Sequence, residues 1–141
     1  MQILVAAVYL GSRSYIGEQQ QASGINKVKT DRQLKVTCDG IEGDFIGNKI
    51  LHGGREKAIH HFPADHYQML SDTFPSSAEM MIPGSIGENI SSLKCVEQDV
   101  CISDKFRMGS VILQISQPRK PCWKIDEKYH SRGVATFIHS Q

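Results

Sequence analysis

Apolar and polar positions change over in short stretches along this chain. The run from residue 2 to 10 and the run VILQIS at 111–116 are rich in β-branched residues, while INKVKT and LKVTC alternate polar with apolar at period two, so each predicts a strand. Between them the chain keeps returning to glycine turns: GSRSYIG at 11–17, CDGIEGD at 38–44, HGG at 52–54, PGSIGEN at 83–89, and Gly109. Short strands punctuated this way favour a barrel or a sandwich over a helix bundle. PADHYQMLSD at 63–72 predicts a helix, with Pro63 at the first helical position, Asp65 in the first turn, and Tyr67 and Leu70 on one face. A weaker helical pattern runs from Val134 to His139. With no internal repeat and no dividing linker, the 141 residues predict one domain spanning 1–141.

Composition narrows the function classes. The chain is 40% hydrophobic and 22% charged with a net charge of +1, which gives no basic excess for a nucleic acid partner. The opening MQILVAAVYLG lacks a basic start and the ~20 apolar residues of a membrane span, so neither a leader nor a membrane anchor is expected. Cys38, Cys95, Cys101 and Cys122 without a secretion signal predict reduced thiols and a cytoplasmic location.

The stretch QPRKPCWKI at 117–125 places a thiol among two prolines and two cations. Pro118 and Pro121 remove amide donors and predict a stiff, non-helical turn that can aim Cys122. Arg119 and Lys120 supply positive charge of the kind that raises thiolate character, although a buried, inert thiol fits the same residues. In DGIEGDFIGNKILHGGREKAIHHF, the glycines Gly43, Gly53 and Gly54 with Arg55 and Lys57 can cradle a phosphate, or form a plain turn with solvated charges. Zinc is disfavoured: on a strand His60 and His61 point to opposite faces, and five residues separate Cys95 from Cys101. His52, beside two glycines, is the histidine best placed for a ligand. Asn89 can read a heterocycle edge or close its own turn.

Taken in order, DGIEGD, HGGREKAIHHF, PGSIGENIS and FRMGSVILQISQPRKPC resemble the MOSC domain family, and within it the small bacterial YiiM-like branch, over about residues 1–130. That resemblance implies a mainly β fold, a distorted barrel with a few short helices. It implies a molybdenum cofactor (a molybdenum-bearing molybdopterin) bound with Cys122 as metal ligand and central catalytic residue, and Arg119 as a second catalytic residue and a cation beside the cofactor's anionic groups. His52, Gly53, Gly54, Lys57 and Asn89 become cofactor-binding candidates. The implied activity is an oxidoreductase that reduces N-hydroxylated compounds such as hydroxylaminopurines, the substrate oxygen passing to reduced metal and an external reductase returning two electrons. Two departures stand out: Ser103 replaces a common glycine, and the chain stops at Gln141, before the strand and helical region usual in the branch. An unclosed barrel edge would invite a second copy, so a homodimer is a further expectation. Two other readings share Cys122: a non-catalytic carrier of the cofactor or of a persulfide, and a cysteine hydrolase using His52 or His130 as base.

Overall fold

The computed structural model describes residues 2–141. Its strands are β1 (Leu4–Gly11), β2 (Ser14–Ile16), β3 (Gln21–Ser23), β4 (Lys27–Lys29), β5 (Val36–Thr37), β6 (Gly40–Ile41), β7 (His61–Pro63), β8 (Ile90–Leu93), β9 (Lys105–Met108) and β10 (Val111–Gln114). The helices are α1 (Lys49–His52), α2 (His66–Thr73), α3 (Lys124–Tyr129) and α4 (Val134–Ser140).

Four strands form the central sheet in the order β4-β1-β8-β7. The long apolar β1 lies at its middle, antiparallel to β4 with Tyr9 opposite Lys29 and to β8 with Val5 opposite Ser92, and its register shifts between Val5 and Ala7. β7 runs parallel to β8, pairing His61 with Ile90 and Pro63 with Ser92. The six remaining strands form three separate hairpins, β2 with β3, β5 with β6, and β9 with β10.

The architecture is mostly sheet with few helices, but the expected barrel is not closed among the described residues. Closure needs strands tilted and staggered so that the two edges of one sheet meet. Here the edges β4 and β7 are three residues long, and β9 and β10 pair only with each other. Large apolar residues stay in solvent: Leu4 is 64% exposed, Ile102 64% and Ile112 52%.

The core lies instead between the helices and the turn before β8. Phe62, Tyr67, Leu70, Ile86, Tyr129 and Val134 pack as one cluster, with Leu70 and Val134 fully buried. Removing a buried leucine of this kind costs about 2–5 kcal/mol. Tyr67 and Leu70 are the two residues expected on the inner face of α2, yet the helix starts at His66 rather than Pro63. Pro63 ends β7, and the chain is held there because Ala64 N donates to Ser92 O at 2.7 Å. Near the C-terminus His130 takes a left-handed conformation, φ 50°, that stops α3. Asp126 then caps α4 by accepting from Gly133 N and Ala135 N at 2.9 and 2.8 Å.

Candidate functional site

Beyond β10 the prolines keep the chain out of regular structure until α3, as the turn chemistry predicts. This segment docks sideways onto residues 52–57. Ser116 Oγ donates to Glu56 O, and Gln117 Nε2 donates to Glu56 Oε2 at 3.0 Å. Arg119 completes the dock, its Nη1 donating to His52 O at 3.0 Å and its Nη2 to Lys57 O. One planar guanidinium thus fixes two carbonyls of the glycine turn, a geometry that a lysine cannot copy.

Cys122 follows as a free, half-buried thiol, and among the described residues no side chain hydrogen-bonds its sulfur. It lines an open trough of about 1880 Å³ together with His52, Lys57, Arg119 and Lys124. Lys124 is buried, with its Nζ donating to Ala22 O at 2.8 Å. Burial first, and then the charges of Arg119, Lys124 and Lys57, hold the His52 imidazole below its ordinary value. These cations donate to backbone carbonyls and none of them forms an ion pair with a carboxylate among the described residues.

Of the other residues singled out in the sequence, Lys57 reaches the trough while its Nζ donates to Leu51 O at 2.9 Å, closing α1. Gly53 and Gly54 lie off the trough lining. Gly53 N caps α1 through Lys49 O at 3.1 Å, and a Cβ there would stand 2.8 Å from that same carbonyl. Gly54, at φ +90°, needs glycine for its backbone conformation alone, since the space beside it is open.

Asn89 faces the trough with its side chain fully engaged. Its Nδ2 donates to Asp44 Oδ2 at 2.9 Å and Tyr9 O at 3.3 Å, and its Oδ1 accepts from His60 N at 3.1 Å. Asp44 in turn receives Lys27 Nζ on both oxygens, at 2.6 and 2.7 Å, and Gly11 N at 2.7 Å. Sequence reasoning did not single out Lys27, Asp44 or His60 as trough residues. The one local signal was the alternation that separates His60 from His61.

A protein-family model for the MOSC domain matches residues 48–140. Protein YiiM of Escherichia coli (strain K12) is 36% identical over 118 residues, covering 84% of this chain and 53% of that protein. A protein of Gibberella moniliformis named "Reductase" is 32% identical over 108 residues, or 76% of this chain and 19% of its own length. The crystal structure of YiiM from Escherichia coli superposes with a TM-score of 0.78 at 29% identity, over 99% of this chain and 57% of that one. The chain spans about half the length of the curated Escherichia coli relative it matches.

Proposed function

The chain is a YiiM-like member of the MOSC domain family, and from that premise we propose that residues 1–141 form one molybdenum-cofactor-binding unit that reduces N-hydroxylated compounds. The observation that carries this reading is the free Cys122 on the wall of a trough that Arg119, Lys57 and Lys124 also line, cations without an acidic partner among the described residues.

The donor set suits the cofactor. A thiolate is a soft ligand for a metal already carried by dithiolene sulfurs, and unpaired cations complement the anionic groups of the pterin. On this reading Cys122 holds the metal, while Arg119, Lys57 and Lys124 hold the anionic groups. His52, its imidazole held below its ordinary value by burial and then by these charges, adds no further charge near neutral pH. The cofactor supplies two-electron chemistry at the N–O bond. The overall change is R–NHOH plus two electrons and two protons giving R–NH2 and water, with the electrons drawn from an external reductase. The chain's own contribution is to bind and orient: the Arg119 clamp sets the 52–57 segment against the 116–122 turn, so that thiol and cations keep one spacing. The name of the Gibberella moniliformis relative agrees with a reductive role.

The test is metal content. The chain purified from a cofactor-competent host should contain molybdenum and the chain from a cofactor-deficient host none, and equal, negligible metal from both would overturn the reading. Turnover of an N-hydroxylated compound with an artificial donor separates the reductase from a carrier that binds without reacting.

A further inference from the structure

A second anchor follows Cys122 directly in the chain. Trp123, the one tryptophan of the sequence, stands at the start of α3 and lays its indole on Gly17, in the turn that joins β2 to β3. A Cβ at Gly17 would stand 2.8 Å from Trp123 Cζ3 and 2.9 Å from Cη2. Gly17 has φ +77°, so the close approach and the backbone both call for glycine. Gln20 closes this turn, its N and Nε2 donating to Gly17 O at 3.0 and 3.1 Å. The next residues tie α3 to the same hairpin. Lys124 Nζ donates to Ala22 O at 2.8 Å, and one turn later Lys128 Nζ donates to Ile25 O at 3.0 Å.

The hairpin is a firm support. Tyr15 pairs with Ala22 and Ile16 with Gln21, and Gly24 and Gly47 pack so closely on Phe45 O and Ala22 O that a Cβ at either would have no room. Residues 45–47 lead into α1, whose last residue, His52, offers the carbonyl that Arg119 holds at 3.0 Å. Cys122 therefore lies between two ties, three residues after Arg119 and one before Trp123. No hydrogen bond to its sulfur directs it among the described residues, so the backbone on either side sets its aim. Trp123 is not there to fill the core. Ile125 and Tyr129 carry α3 into the core cluster, whereas Trp123 stays outside it and is 45% exposed.

We propose that Trp123 is a positioning residue for Cys122: its indole, seated on Gly17, fixes the backbone that carries the thiol, and the β2–β3 hairpin is the seat. What the positioned thiol binds rests on the functional reading above. The seating itself is tested separately.

The 141-residue chain, purified from a cofactor-deficient host so that its thiols are free, is alkylated with iodoacetamide and each cysteine is followed by mass spectrometry. Trp123→Ala should raise the Cys122 rate about fivefold while the buried Cys95 stays slow, because the turn opens and the core does not. An unchanged or slower Cys122 overturns the assignment. So does a parallel rise at Cys95, which is the mark of general loosening. Gly17→Ala approaches the same contact from the other side and serves alone if Trp123→Ala does not fold. Its Cβ should push the ring away, shift the emission of the single tryptophan to the red and raise the Cys122 rate to a similar extent. Unchanged emission overturns the seating. In the double variant the two effects on Cys122 should not add, since each substitution removes the one contact, and additive effects would trace the Gly17→Ala result to backbone strain instead. Molybdenum content in a cofactor-competent host decides the functional reading independently. A wild type that never retains metal refutes the cofactor and leaves the seating intact, whereas a loaded wild type with no Cys122 response in either variant does the reverse.

Discussion

The turns at 84–89 and 117–122 make similar promises, both mixing backbone-bending residues with polar side chains, but they commit those side chains differently. In the first, polar atoms turn inward. Glu88 is fully buried and its Oε1 accepts from Tyr67 Oη, Gly84 N and Ser91 Oγ at 2.7, 2.6 and 2.7 Å, while its Oε2 has no partner among the described residues. Asn89 likewise ties Tyr9, Asp44 and His60 into one network. In the second turn Arg119 is committed to two carbonyls, and the sulfur of Cys122 is left over. Asn89 acts as scaffold because its side-chain hydrogen bonds are filled, whereas the Cys122 sulfur has none among the described residues.

The largest expected effect breaks the scaffold side. Asp44→Ala strands the Lys27 ammonium, whose side chain is 5% exposed, and should cost about 3–5 kcal/mol in urea denaturation. Asn89→Ala leaves His60 N without its acceptor and should cost about 2–3 kcal/mol. If Asn89 is scaffold, molybdenum per folded molecule stays at the wild-type level in that variant. A folded Asn89→Ala protein without metal would return Asn89 to the ligand-binding set.

Arg119→Lys comes next, at about 1–2 kcal/mol, because an ammonium cannot hold the carbonyls of His52 and Lys57 together. Amide hydrogen exchange should rise over residues 52–57 and remain low in β8. A separate effect is expected in the acid limb. The unfolded His60 titrates near 6.5 and the folded one at about 3, so between those values the unfolded state binds more protons and stability falls as the pH drops. Circular dichroism against pH should show a flatter acid limb for His60→Gln than for the wild type, and an unchanged slope would place the acid sensitivity elsewhere.

Much of the scaffold was legible because its signals are local. The β-branched runs became β1 and β10, and the inner face of α2 is the predicted pair Tyr67 and Leu70. α1 has only four residues and rests on the cap that Asn48 Oδ1 gives to Ile50 N and Leu51 N, too short a segment for periodicity to reveal. α3, KIDEKY, buries Ile125 and Tyr129 behind a charged pattern. Whether β9 and β10 join the central sheet depends on edges far apart in the chain, so the open barrel had no local signature. The same holds at the site. Cys122 and Arg119 share one short motif, whereas the partners that occupy Asn89 lie 29, 45 and 80 residues away.

The smallest stability effect carries the sharpest functional contrast. Cys122→Ala removes a half-buried thiol with no hydrogen-bond partner and should change stability by about 0.5 kcal/mol or less. The most direct measurement is molybdenum per folded molecule in wild type and Cys122→Ala, both purified from the same cofactor-overproducing host. Metal in the wild type and none in the variant is the predicted result, and full retention by Cys122→Ala would contradict the account.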